Sequence, residues 1–237
     1  MSTVGVAVVL FCFVILIYAI LRIAAPSVEM FAFADGSTVC TNKFYFEMDN
    51  FLPADYCDYL MQEAGRSKME DSQVGEQAYE LDKNIRNSQQ VWLKHDTNVV
   101  TRYIRDKVMA LVTSSDLNGC MRGIQPETNF EDIQVVKYGV RGKYDPHFDG
   151  TECGEDIGVK CFENQRIATV LIYLNDEFEG GHTRFPNLGV SVTPVKGKAV
   201  FFWVSDRSNK HVYKETMHGG DPVTSGEKWI ATQWIRA

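Results

Sequence analysis

Gln134-Val-Val-Lys-Tyr138-Gly-Val-Arg-Gly-Lys-Tyr144-Asp-Pro-His147-Phe148-Asp149 is the stretch on which the fold turns. Upstream of it, apolar residues recur at helical spacing. From about residue 130 they fall into short β-rich runs, of which Ile133 to Tyr138 is the first. On an extended backbone, residues i and i+2 project from one face, so His147 and Asp149 aim an imidazole and a carboxylate at the same spot. One further histidine would complete a 2-His-1-carboxylate set, which holds Fe(II) and leaves open positions for substrate and oxygen. His-x-Asp spacing alone is common, and an isolated His147 would read as an ordinary strand or turn residue.

Working outward, Arg166 to Leu174, Gly189 to Thr193, Ala199 to Val204 and Trp229 to Ile235 are further β-rich runs, separated by Gly, Pro, Asn and Asp clusters. On the N-terminal side, Phe44, Phe46 and Met48 alternate with polar neighbours as a half-buried strand would. Pro53 suits the first turn of a helix that Gly65 ends, and Thr97 can cap a second. In that second helix Val100, Tyr103, Ile104, Val108, Leu111 and Val112 form one apolar stripe. Helices first and many short strands afterwards read as an α+β layout around a β-sandwich or jelly roll.

The chain of 237 residues has 24 Lys+Arg against 31 Asp+Glu, a net charge of -7. That acidic balance argues against nucleic acid as a partner, because phosphate binding needs a basic face. An apolar fraction of 45% and a charged fraction of 23% are ordinary globular values and exclude a disordered or fibrous chain. Ser2 to Leu21 contains no charged residue. A helix rising about 1.5 Å per residue crosses a ~30 Å hydrocarbon core in about 20 residues, so this run is long enough to span. It lacks the basic start of a signal peptide, so the expectation is an uncleaved single-pass anchor. The chain thus divides into a transmembrane anchor at 1–25, a linker at 26–44 and a domain at 45–237. Among the 6 cysteines, Cys153 and Cys161 bracket a short loop: a disulfide in an oxidising lumen, or two free thiols.

Two more motifs follow the first: Glu179-Gly-Gly-His182-Thr183-Arg-Phe-Pro186, and His218-Gly-Gly-Asp-Pro-Val-Thr-Ser-Gly-Glu-Lys228-Trp229. With His147-Phe-Asp149 before them, the chain from about residue 45 to its end resembles the Fe(II)/2-oxoglutarate-dependent prolyl 4-hydroxylases, in the short single-polypeptide form of plants, algae and their viruses. The resemblance implies a double-stranded β-helix (jelly-roll) core flanked by N-terminal helices. It implies that His147, Asp149 and His218 ligate Fe(II) and that Lys228 pairs with the distal carboxylate of 2-oxoglutarate. Tyr138 and Thr183 match positions that line the same co-substrate pocket. Tyr144, Arg166 and Trp234 match positions near a peptide substrate, and Arg86 and Ser88 resemble a flexible substrate-covering loop. The implied reaction is 4-hydroxylation of peptidyl proline with O2 and 2-oxoglutarate, yielding succinate and CO2 and supported by ascorbate. Its substrate would be a proline-rich or collagen-like peptide, and its place the lumenal side of the endoplasmic reticulum membrane. A different target residue or single regulatory protein, or a catalytically silent jelly-roll binding module, are the alternatives.

Two departures bear on the ligand set. The family usually has an acidic residue where His182 stands, and that position matches no ligand. His211 competes with His218, but ten residues beyond it stands Asp221, whereas Lys228 is correctly spaced from His218.

Overall fold

The computed structural model describes residues 44–237 apart from 75–80, 115–116, 118–120, 152–163 and 207–210, together with 31–32 and 38–39. The expected membrane anchor lies outside the described residues, as do Cys153 and Cys161. No helix among the described residues is long and apolar enough to cross a membrane. Within the span read as linker, β1 (Phe31–Ala32) and β2 (Thr38–Val39) pair antiparallel.

Then follow β3 (Tyr45–Met48), α1 (Ala54–Arg66), β4 (Glu70–Asp71), β5 (Gln89–Leu93), α2 (Val99–Val112) and the single turn α3 (Pro126–Asn129). Strands make up most of what remains: β6 (Ile133–Tyr138), β7 (Tyr144–His147), β8 (Arg166–Tyr173), β9 (Glu179–Gly180), β10 (Thr183–Phe185) and β11 (Val190–Val192). The chain closes with β12 (Ala199–Trp203), β13 (His218–Gly220), β14 (Val223–Ser225) and β15 (Lys228–Arg236). The α+β expectation is therefore corrected to a mostly-β, jelly-roll-like architecture with few helices.

Seven strands form a major antiparallel sheet in the order β3-β12-β8-β15-β6-β5-β4, and four form a minor one, β11-β10-β13-β7. The major sheet is covered on both faces, which is why β8 and β12 read as unbroken apolar runs rather than alternating ones. Its outer face packs on α1 and α2 through Cys57, Leu60, Ile104 and Val108, against Ile133, Val135, Ile167, Val170, Phe201 and Ala231. Its inner face meets the minor sheet through Val136, Tyr138, Leu171, Tyr173, Phe185, Val200, Phe202 and Ile230. Successive residues of one strand thus serve two different cores. On β15, Ala231 and Ile235 go to the helices, while Lys228, Ile230, Thr232 and Trp234 face a cavity on the inner side.

Helix ends differ slightly from expectation. Asn98, not Thr97, caps α2: its side chain accepts from the N–H groups of Val100 (3.0 Å) and Thr101 (2.9 Å), and Thr101 Oγ1 accepts from Asn98 N–H in return. Thr97 sits one residue too early, and its N–H is engaged in a turn with Lys94 O. Gly65 lies inside the last turn of α1, which stops at Ser67 as the backbone extends.

Candidate metal centre and its cavity

His147 ends β7 and His218 opens β13, and the two are direct register partners across the minor sheet. Each ring is oriented by its own backbone: His147 Nδ1 meets Asp145 O at 2.9 Å, and His218 Nδ1 meets Thr216 O at 3.1 Å. A carbonyl only accepts, so each Nδ1 carries the proton and each Nε2 keeps its lone pair. Asp149 stands two residues beyond His147, with Oδ1 at 3.5 Å from His147 Nε2 and Oδ2 at 3.8 Å from His218 Nε2. The candidate ligand atoms of the three residues all lie within 4.8 Å of one another. Burial holds His218 down at about 4, so its imidazole is neutral at ordinary pH. Two imidazoles turned inward through Nε2 and one carboxylate fit Fe(II) as a donor set.

Asp149 remains ionised although it is buried. Burial pushes its carboxyl up, but the neighbouring His218 and the bond and charge of His147 hold it well below the usual carboxylate range. With His218 neutral, the support that persists near pH 7 is the Arg166 charge together with hydrogen bonding. Thr169 Oγ1 donates to Asp149 Oδ2 at 2.7 Å, and Trp234 Nε1 donates to the same oxygen at 2.9 Å. Thr169 on β8 and Trp234 on β15 are register partners, so the sheet itself brings the two donors to one atom.

Lys228 opens β15 opposite Tyr138 of β6. It is 3% exposed, and its Nζ donates to Gly181 O at 2.7 Å. It also stands 5.4 Å from the centre of the Tyr138 ring. Among the described residues no carboxylate is within ion-pair distance of it, and burial brings its ammonium down to about 8. A buried cation without a counter-ion is suited to receive a ligand carboxylate. Thr183 stands nearby, buried, and accepts from Tyr173 Oη at 2.7 Å. Lys228, Tyr138 and Thr183 line the same cavity of about 880 Å³ as His147, Asp149 and His218.

Gly181, at φ +63, is the turn that fixes Lys228. A Cβ there would come to 2.8 Å from Phe178 Cε2 and 3.1 Å from Lys228 Cδ. Gly181→Ala is expected to displace the amine and raise the KM for 2-oxoglutarate about tenfold, equivalent to ~1.4 kcal/mol of lost binding. Steady-state kinetics at saturating peptide will check this.

The cavity opens onto a groove walled by β5, β6 and β15. Arg86, expected in a flexible loop, is instead buried. It donates to Ser88 Oγ (3.2 Å), Gln73 O (3.2 Å) and Gln134 Oε1 (3.3 Å). Ser88 is buried as well, and the segment is pinned by pairing of Arg86 with Tyr144. Because a guanidinium can only donate, it sets the direction of the amide chain: Gln134 Nε2 then donates to Gln90 Oε1 at 2.7 Å, leaving the Gln90 amide as a donor at the wall. Tyr144 stacks on His147 (ring centres 3.6 Å apart) with Arg86 over its ring at 4.6 Å. Arg166 lies over Trp234 at 3.7 Å and is held by Glu131 through two bonds of 2.6 and 2.8 Å. Trp92, 42% exposed, tilts against Trp234. His182 is half-buried and His211 exposed, and neither joins the cluster.

All the expected residues meet in one cavity except Ser88, which supports it from behind through Arg86. Thr169, Gly181, Glu131, Gln134, Gln90 and Trp92 were not foreseen. The available signal was a polar residue in an apolar strand, as Thr169 is in Ile-Ala-Thr-Val-Leu.

A family model described as the 2OG-Fe(II) oxygenase superfamily matches residues 133–236. A protein of Acanthamoeba polyphaga mimivirus assigned as a prolyl 4-hydroxylase is 41% identical over 198 residues, which span 81% of this chain and 73% of that protein. Prolyl 4-hydroxylase subunit alpha-1 of Bos taurus is 36% identical over 153 residues, covering 64% of this chain and 26% of the subunit, about a quarter of its length. The crystal structure of viral collagen prolyl hydroxylase from Paramecium bursaria Chlorella virus-1, as its 2-oxoglutarate complex, superposes with a TM-score of 0.69 at 36% identity. That superposition covers 83% of this chain and 97% of the viral one.

Proposed function

This chain belongs to the prolyl 4-hydroxylase family of Fe(II)/2-oxoglutarate-dependent oxygenases, and from that premise we propose how its cavity divides the work. The protein is a dioxygenase that uses Fe(II), 2-oxoglutarate and O2, with ascorbate as supporting reductant, to hydroxylate peptidyl proline. His147 Nε2, His218 Nε2 and Asp149 Oδ1 would hold the metal. Bound Fe(II) supplies the oxidising chemistry that puts a hydroxyl on proline C4 while 2-oxoglutarate is converted to succinate and CO2. Lys228 receives the distal carboxylate of 2-oxoglutarate, with Tyr138 and Thr183 forming the walls beside it. Leu171 and Ile230, on the same face, keep water from the co-substrate's methylenes.

The observation that carries this reading is the buried ammonium of Lys228, with no ion-paired carboxylate among the described residues, sharing one cavity with the His147–Asp149–His218 cluster. A polyproline II peptide has little conformational freedom to lose and presents unpaired carbonyls, so aromatic walls and amide donors suit it. Trp92, Trp234 and Tyr144 supply the first, and Gln90 the second. We therefore take the substrate to be a proline-rich or collagen-like chain laid along the β5–β6–β15 groove. Residues 1–25 are proposed as a single-pass anchor that keeps the catalytic domain in the endoplasmic reticulum lumen. Protease protection of the full chain in microsomes tests this, and digestion of the domain without detergent would refute it.

The test of function is succinate release by the full chain in detergent, with Fe(II), ascorbate and 2-oxoglutarate, across a panel of proline-rich and collagen-like peptides. Peptide-stimulated turnover, with one oxygen atom gained on proline by mass spectrometry, is the expected result. Turnover that no proline peptide stimulates would overturn the substrate assignment.

A further inference from the structure

Trp234 occupies a position at which the resemblance implies contact with peptide, yet its polar atom is spent elsewhere. The indole N–H points away from the groove and donates to Asp149 Oδ2 at 2.9 Å. That oxygen also accepts from Thr169 Oγ1 at 2.7 Å, so both of its ordinary acceptor directions are in use. Among the described residues Oδ1 has no hydroxyl or indole donor, and it faces His147 Nε2 at 3.5 Å. The carboxylate is therefore asymmetric before any metal arrives, with one oxygen tied to the sheet and one turned to the cluster.

The ring of Trp234 is held on two sides. Arg166 covers one face at 3.7 Å, and Glu131 grips Arg166 in a fork of two short bonds. Arg236 reaches the same Glu131 carboxylate at 2.9 Å. The half-exposed Trp92 leans on the indole from the groove, ring centres 5.7 Å apart. Of these supports Trp92 is the most exposed to a peptide. A chain docking on Trp92 thus presses on a ring whose N–H holds the carboxylate.

We propose that Trp234 and Thr169 are positioning residues of the metal centre: they hold Asp149 Oδ2 so that Oδ1 alone is offered to the metal, and Trp234 relays occupation of the peptide groove to that carboxylate. The inference rests on the assignment of His147, Asp149 and His218 as ligands. Hydrogen-bond partners of metal ligands fix their orientation, and losing one typically costs about 10–100-fold in metal affinity.

Mn(II) titrated calorimetrically into the metal-free full chain provides a readout independent of turnover. Trp234→Phe keeps an aromatic ring, a smaller one, and removes the N–H, and Thr169→Val removes the hydroxyl at similar volume. Each is expected to weaken Mn(II) about tenfold or more, and Thr169→Ser, which restores the hydroxyl, to recover it. Trp234→Phe should also raise succinate formed per hydroxyproline above unity, because co-substrate consumption is no longer tied to peptide. Mn(II) affinity within twofold of wild type in both Trp234→Phe and Thr169→Val would overturn the positioning role. Weakened metal binding with an unchanged product ratio in Trp234→Phe would overturn the relay. His147→Ala separates the two levels: if it binds Mn(II) like wild type, the ligand assignment itself has failed. If it loses Mn(II) while Trp234→Phe does not, only the present inference falls.

Discussion

His218→Ala is expected to lower peptide hydroxylation by at least about 10³-fold, some 4 kcal/mol of lost transition-state stabilisation, while the fold survives. His147→Ala should do the same. Strand pairing makes the two histidines register partners, and each is committed through Nδ1 to the carbonyl two residues before it. With either ring gone, the cluster has one imidazole and one carboxylate, and no neighbouring His, Cys, Asp or Glu among the described residues completes the set. The fold should persist because His218 is neutral and packs beside Phe202 and Phe185 as a flat ring, so its loss leaves a cavity rather than an unpaired charge. Single-turnover hydroxyproline formation, with circular dichroism on the same sample, checks both halves. Retained 2-oxoglutarate-dependent product in either variant would remove that histidine from the ligand set.

Replacing Lys228 by methionine should act in opposite directions on co-substrate binding and on stability. Its ammonium is buried, lacks a carboxylate partner among the described residues and is brought down to about 8 from 10.5 by burial. A base whose value falls on folding penalises the folded state below the folded value, and the penalty is relieved as pH rises from about 8 towards 10.5. The displacement corresponds to roughly 3 kcal/mol. Loss of the donor to Gly181 O takes back about 1–2 kcal/mol, since a buried carbonyl is left unpaired. Lys228→Met, close in volume, should therefore raise the ligand-free Tm by roughly 4 °C. The same change removes a charge-assisted contact to the 2-oxoglutarate carboxylate, worth about 2–5 kcal/mol, so the KM for 2-oxoglutarate should rise at least about 30-fold. In the wild type, that affinity should fall by about tenfold per pH unit above pH 8, because binding must then take up a proton. Scanning calorimetry and a pH series of 2-oxoglutarate titrations measure the two effects. A lowered Tm would show that the amine stabilises the empty fold.

Much of this was legible from residue order because strands advertise themselves locally. Ile133–Tyr138 was foreseen to the residue, and β8, β11, β12 and β15 to within one or two, since continuous or alternating apolar runs report burial directly. His147-x-Asp149 followed from a period of two. Recognising His218 and Lys228 depended on motif resemblance, since nothing local distinguishes a ligating histidine from His211. The residues that escaped notice act across strands. Thr169 and Trp234 meet on one oxygen only because β8 and β15 pair in that register, and register is set by the whole sheet. The burial of Arg86 is not legible locally, because it depends on Gln134 and Tyr144, far along the chain. The choice of Asn98 over Thr97 turned on one residue's backbone angle, which composition does not encode.

The pairing of His147 with His218 also constrains the order in which the molecule assembles. Their strands are distant in sequence and belong to the minor sheet, so the two rings become neighbours only after β8, β12 and β15 have given that sheet a surface to close upon. Non-local pairings of this kind form late, because loop-closure entropy must be overcome before they repay it. A chain in which this pairing has not formed lacks the complete three-residue cluster, so metal favours the folded molecule. By mass action, iron supply then acts as a folding ligand, worth about 2.7 kcal/mol at a hundredfold excess over Kd. Iron scarcity would accordingly reduce how much of the enzyme survives as well as how fast it works.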